Sequence, residues 1–387
     1  MSQYNVNAIV GLQWGNEGIA HISDFLSKDA DITIKHQSLD NAVSTIIKNG
    51  NKFDLSVIPV GVFNPDSMNI ISAGSVVDLD KMHKEMEIIQ SSSELDADNV
   101  FIDERAHIIM PYHEKGIASC YEDKVSGLGL RAADLMDEDR LIKRLEAILP
   151  SKQCKLEDII TKCKEWKGWF GDHIIDTIPV VRDSVESGAK IVIEGQSGTM
   201  IDNDWGSYPY TTASSRFDGT GIPPKAFNKV YGVAKAYSSC LQNGPFITED
   251  TELKRLDSEN DSIRYGWIDA VAVDYSCYIN GVTDVCLTNL NNLDSLSSIK
   301  VCIGYSINGE YYANLPETRL QENARPIYAE FEGWMEDTSN AHSWSELPEK
   351  CKSYIREIEK FLNIPITIIT VGPNENQIIE RNPEMDK

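Results

Sequence analysis

The run Val10-Gly11-Leu12-Gln13-Trp14-Gly15-Asn16-Glu17-Gly18-Ile19-Ala20-His21 constrains this chain more than any other stretch. It follows a short apolar strand at residues 8–10, carries three glycines within eight residues, and leads into residues 17–25, whose apolar spacing is helical. Strand, Gly-rich turn and helix in that order is how an α/β sheet brings a phosphate to a helix N-terminus. There, backbone N–H groups can hold an anion without side-chain charge. No Lys or Arg lies between Met1 and Lys28, and the G-x-x-x-x-G-K-S/T pattern is absent. From the motif alone two readings stay open: a phosphate loop kept in shape but stripped of its charges, and a tight turn that needs Gly for backbone reasons only.

A chain of 387 residues, 41% hydrophobic and 25% charged, is long enough for a large core and one to three domains. The first residues are polar and no apolar run approaches a membrane span, so a cytoplasmic protein without membrane contact is expected. Eight cysteines are scattered without a C-x-x-C pair, which argues against a zinc site or a disulfide framework and for reduced, buried thiols. The net charge of −24 weighs against nucleic acid, because phosphate backbones are bound by basic stripes. The acidity is the solubilising surface of exposed helices, and it carries no ligand by itself.

Apolar runs alternate with amphipathic stretches. Strands are predicted at 31–35, 45–47, 54–60, 70–71, 190–194, 227–233, 284–287, 301–305 and 366–371, and helices at 80–91, 137–149, 156–182, 268–281 and 345–362. That alternation predicts a mainly parallel central sheet flanked by helices, in one unit with lobes over 1–387. The polar, acidic stretch at about 249–265 reads as an exposed loop.

Several runs, taken in order, resemble adenylosuccinate synthetase. They are Gly11 to Gly18, Tyr121-Glu122-Asp123-Lys124-Val125, Gly129-Leu130-Arg131, Glu194-Gly195-Gln196-Ser197-Gly198-Thr199, Tyr208-Pro209-Tyr210-Thr211-Thr212, Lys235-Ala236-Tyr237-Ser238, Gly244-Pro245-Phe246, Gly266-Trp267-Ile268-Asp269 and Gly372-Pro373. The resemblance covers nearly the whole chain. It implies a P-loop-NTPase-like α/β fold, a cytoplasmic homodimer, and a C–N ligase that uses GTP and Mg²⁺ to phosphorylate the 6-oxygen of IMP before the amine of aspartate displaces the phosphate.

The same resemblance locates what has changed. The family's W-G-D-E-G-K-G-K places a catalytic Asp, which also binds magnesium, where this chain has Asn16, and its first Lys where this chain has Ile19. An amide cannot take a proton at neutral pH. Phage relatives that make 2-aminoadenine carry Ser there, so Asn16 alone leaves activity on another purine nucleotide open. In the family's Q-G-G-H-N-A-G-H-T the first His is the catalytic acid. Here Asp40 stands in its place, beside a retained Asn41 and Thr45. Asp40 is read either as a relocated carboxylate or as a solvated or capping residue.

Further along, only Glu114 to Cys120 bridge the place where the family carries a long segment ending in G-T-T-G-R-G-I-G-P, whose Thr contacts the IMP phosphate. Gly127 falls at the Arg that reaches across the dimer, and Ser197 at the nucleotide-holding Gln, with Gln196 next door as the alternative that would need a changed backbone. The amino-acid loop T-T-G-R-R-R-R is reduced to Arg264, preceded by Asp257, Glu259 and Asp261. Losing bidentate Arg–carboxylate pairs in this way costs aspartate binding several kcal/mol, on the order of a thousandfold in affinity. The guanine motif T-K-L-D is Thr288-Asn289-Leu290-Asn291, and an Asn cannot offer two acceptors to guanine.

Candidate nucleotide-contact residues are therefore Gly15, Glu17, Gly18, Asn41, Thr45, Thr212, Arg264 and Gly372, with Asn16 and Asp40 as degenerate catalytic positions. Asp40 and Glu17 are the candidates for magnesium, and Glu17 reads equally as a helix N-terminal acid. Two functions follow from this set. One is a noncatalytic or regulatory homologue, with a purine nucleotide or a protein partner and no cofactor. The other is an active purine-nucleotide ligase using Mg²⁺ and GTP or ATP, either an adenylosuccinate synthase or a variant with a changed nucleotide and amine donor.

Overall fold

The structure is a computed structural model and describes residues 4–37, 43–48, 50–92, 95, 97–152, 154–213, 219–256 and 262–385. They form two compact units: Met1–Ala8, Ser23–Gly195 and Ala213–Asn228 in the first, Ile9–Ile22, Gln196–Thr212 and Lys229–Lys387 in the second. A large, mainly parallel sheet with flanking helices is the main element, as the alternation of apolar runs predicts.

In the first unit the sheet order is Ile191–Gly198, Ile32–Lys35, Met68–Ile71, Val100–Asp103 and Ile174–Ile175, each pair parallel. The strand Ile191–Gly198 is buried along its whole length, the mark of a strand covered on both faces. Helices α2 (Leu79–Ser92), α4 (Glu138–Ile148) and α5 (Leu156–Phe170) supply Met82, Leu145, Trp166 and Phe170 to one hydrophobic core with Phe53 and Ile102.

Two sequence expectations fail here. The continuous helix at 156–182 ends at Phe170, runs through a short 3-10 turn and the strand Ile174–Ile175, and restarts as α6 (Thr177–Ser187). Asp176 accepts the Ile178 N–H as an N-cap, and Pro179 sits in the first turn of α6, where its missing N–H costs nothing. The strand at 54–60 is instead Asn51–Leu55, hairpinned with Ser44–Lys48. Beyond it the amides of Ser56, Val57 and Ile58 turn onto the buried Glu85 carboxylate.

The strands that lie mainly in the second unit are ordered Ile378–Glu380, Ile366–Thr370, Asp284–Thr288 and Phe227–Lys235, the last three parallel and Ile378–Glu380 antiparallel. A smaller sheet pairs Ser298–Ile307 with Glu310–Tyr312 and Ala324–Glu332. Its tight hairpin turns at Asn308-Gly309, both at positive φ, the backbone that Asn-Gly favours. The described parts of the stretch near 249–265 are not all exposed loop. Residues Thr251–Leu256 form a 3-10 turn with Leu253 buried, and Arg264–Gly266 pairs with Ser238–Cys240. Among the described residues no helix is long and apolar enough to cross a membrane.

Candidate functional site

The glycine-rich loop is held from inside. Leu12 donates its N–H to Val233 O at 2.9 Å, Gly15 takes φ 94°, Asn16 φ 61° and Gly18 φ 86°, and α1 (Ile19–Ser27) begins. A Cβ on Gly198 would lie 2.3 Å from Gln13 O, and one on Gly11 would lie 2.8 Å from Glu17 Oε2, so glycine is required by close backbone approach. The glycines that look like a phosphate cradle thus also serve packing between the loop and the end of the strand Ile191–Gly198.

Glu17 is fully buried, and its carboxylate turns back into the loop. Its Oε1 accepts from Gln13 N–H at 3.0 Å and Gly15 N–H at 2.8 Å, while Oε2 has no hydrogen-bond donor among the described residues. Burial pushes its pKa up, and the loop amides and Lys235 oppose that shift. Thr288 fastens the loop by donating to Glu17 O at 2.6 Å. Asn16, by contrast, is exposed in the left-handed region that Asn tolerates better than most residues.

Gln13 was not singled out in the sequence, yet it ties the loop to the strand beside it. Its Nε2 donates to Tyr237 O at 2.9 Å and Ser238 Oγ at 3.1 Å, and its Oε1 accepts from Lys235 N–H at 2.9 Å. These partners are 222 to 225 residues away in sequence, so no local pattern announces them. Lys235 itself is buried, with Nζ on Ser239 Oγ at 3.3 Å and over the Tyr237 ring.

Arg264 is joined to the loop through aromatic contacts. Trp14 bridges Cys240 and packs its ring 5.1 Å from that of Phe246, over which the Arg264 guanidinium lies. Every arm of that guanidinium is occupied. Nε donates to Glu249 Oε2 at 3.1 Å and Nη2 to the same oxygen at 2.5 Å, and Nη1 donates to Gln242 O at 2.9 Å and Gly244 O at 2.7 Å. The Glu249 carboxylate raises the arginine's pKa further. The acid that neutralises Arg264 is thus Glu249, while Asp257, Glu259 and Asp261 lie outside the described residues.

The other expected contact residues are also engaged locally. Thr212 donates both its N–H and its hydroxyl to Ile201 O, at 2.8 and 3.1 Å. Thr45 donates to Asp54 Oδ1 at 2.6 Å across its hairpin. Gly372 lies under Gln377, whose side chain a Cβ would meet at 2.1 Å. Asn291 donates to Asn292 Oδ1 at 3.1 Å, and Asn292 donates to the Tyr237 hydroxyl at 2.9 Å. Asp40 and Asn41 lie outside the described residues. Among the described residues no three His, Cys, Asp or Glu side chains converge as metal ligands.

The shortened connection closes as a turn. Gly116 N–H donates to His113 O at 2.9 Å, and α3 (Ile117–Ser126) starts directly after it. The adenylosuccinate synthetase family model matches residues 8–115 and 114–379, and its break falls at this turn. The chain belongs to the adenylosuccinate synthetase family. It is 34% identical to the adenylosuccinate synthetase of Heliobacterium modesticaldum over 418 residues, covering 96% of this chain and 98% of that protein. It is likewise 34% identical to that of Fusobacterium nucleatum, covering 96% and 98%. The fully ligated adenylosuccinate synthetase from Plasmodium falciparum superposes with a TM-score of 0.91 at 30% identity, covering 98% of this chain and all of that one. The succinoaminodeoxyadenylate synthetase of cyanophage S-2L, at 15% identity and TM-score 0.59, shares the fold. Enzymes of the family use GTP and Mg²⁺ and bind purine nucleotides.

The donor set at the loop fits that metal poorly. Asn16 offers a neutral amide, and Glu17 turns its carboxylate onto the loop's own amides. Magnesium prefers one or two carboxylates that it can reach with its waters.

Proposed function

We propose that this chain is a noncatalytic member of its family, which keeps the synthetase fold while the ligation of IMP and aspartate at the expense of GTP has been lost. The observation that carries the reading is Arg264. The one arginine retained in the amino-acid loop is spent on Glu249, Gln242 O and Gly244 O, leaving it no free donor pair for a substrate carboxylate. Support comes also from Asn16 and Ile19 in place of the family's base and phosphate-side cation, and from the shortened connection at Glu114–Cys120. Glu17 acts in this reading as the brace of the loop, not as a magnesium ligand. The protein works in the cytoplasm as a regulatory or assembly component, a homodimer that engages a purine nucleotide or a protein partner through the inherited surface.

A second reading is an active ligase, either an ordinary adenylosuccinate synthase or a variant with a changed nucleotide and a less acidic amine donor. Identity of 34% spread over 96% of the chain, and the close match to a fully ligated family structure, favour it. A thermal-shift and phosphate-release screen over purine nucleotides, with and without Mg²⁺, separates the two. A ligand that binds the folded chain raises its melting temperature. Absence of phosphate release, with or without a nucleotide-dependent shift, supports the noncatalytic reading, and a shift accompanied by phosphate release supports the ligase.

A further inference from the structure

The turn that closes the shortened connection carries a buried ionisable cluster that neither reading of the active site uses. The His113 side chain has no exposed surface, and both ring nitrogens are engaged. Nδ1 accepts the Met110 N–H at 3.0 Å. Nε2 lies 3.0 Å from Asp123 Oδ2, on α3. A nitrogen that accepts cannot carry a proton, so the imidazole is neutral, with its hydrogen on Nε2 donated to Asp123. Lys152 Nζ stands 3.4 Å from the other Asp123 oxygen, and its charge lies over the Tyr112 ring. The Tyr112 ring meets that of His113 edge-on.

Asp123 and Glu122 on α3 favour its charged form, and Lys152, from the segment after α4, opposes it. Tyr112 lies alongside, and the buried thiols of Cys120 and Cys163 are close to that phenol. Burial outweighs the two acids and holds the histidine below its ordinary pKa. A second proton would have to enter at Nδ1, where it would face the Met110 N–H donor to donor.

We propose that the His113–Asp123 pair is a proton-operated latch on the shortened connection, closed while His113 is neutral and released when a solvent proton is taken up at Nδ1. Closed, it fixes the turn at Met110–Gly116 to the C-terminal half of α3. Asp123 O accepts there from Leu128 and Gly129 N–H at 2.9 and 2.8 Å, so the same residue holds both ends of the helix segment. Release costs the histidine its backbone bond and frees the turn to move where family members carry a longer segment.

The test is hydrogen exchange of the Met110 amide in the full-length protein between pH 7.5 and 5.5, corrected for intrinsic exchange. Because the open state binds one more proton, the corrected protection falls as pH drops below about 6.5, by up to about tenfold per pH unit. In a His113→Gln variant the slope disappears. Nitrogen chemical shifts of His113 in the unaltered protein give a second readout that needs no variant, and the expected tautomer carries its proton on Nε2. Flat Met110 protection, an undiminished slope in H113Q, or a proton on Nδ1 at neutral pH would overturn the latch.

Discussion

Arg264 shows how a retained residue can lose its apparent meaning. By resemblance it is what remains of the family's arginine-rich loop, whereas in the fold it is a brace between Glu249 and two carbonyls. Arg264→Ala should destabilise the protein by about 1–3 kcal/mol through the unpaired carbonyls it leaves, measurable as a lowered midpoint in chemical denaturation. A variant as stable as the parent would mean that the guanidinium is free for ligand after all. Asn16→Asp probes the neighbouring loop. Its backbone tolerates Asp, so the variant should fold normally, yet gain no magnesium-dependent adenylosuccinate formation because Ile19 and the occupied Arg264 remain. The identities at these positions were legible from the chain. What they touch was not, since Gln13, Lys235 and Glu249 act through partners brought together only by folding.

Local signals and tertiary pairing diverge most clearly among the elements. The strands at 31–35, 190–194, 284–287 and 366–371 were legible because strands covered on both faces are nearly continuous apolar runs. The break between α5 and α6 was hidden by helical spacing on both sides, although Asp176 and Pro179 mark the new start. The Asn308-Gly309 hairpin was announced by its dipeptide and went unread. Loop and strand meet at Gly198, where a Cβ would fall 2.3 Å from a backbone oxygen. Gly198→Ala should therefore lower stability by several kcal/mol or prevent folding, and a near-native melting temperature would refute that contact.

Helix α7 (Ala270–Asn280) offers a pH test. Asp269 caps it through Ala272 N–H at 3.1 Å and accepts from the Tyr305 hydroxyl, and burial pushes its pKa up to about 6. A carboxyl whose folded pKa exceeds its unfolded value, about 3.9, contributes most below that value and loses its contribution as pH rises through 6. Asp269→Asn should thus gain on the parent between pH 5 and 7, read as the difference between their unfolding free energies. An unchanged difference across that range would place the carboxyl's titration elsewhere.

For the molecule as a whole, the proposed function rests on the resemblance, in which the glycines, prolines and apolar runs that shape the fold match the family while the positions of its substrate-serving charges do not, and on Arg264 being engaged internally. The family fold was legible because those shaping residues span nearly the whole chain, and the Plasmodium falciparum structure matches it with a TM-score of 0.91. Function was legible only as a set of substitutions, because whether a lost side chain is replaced by another depends on three-dimensional neighbours. The measurement that bears most directly on the central claim is product formation by the purified full-length protein supplied with IMP, GTP, aspartate and Mg²⁺. We predict no adenylosuccinate above the enzyme-free background; turnover within about a hundredfold of the kcat of about 10 s⁻¹ usual for enzymes would contradict the noncatalytic reading.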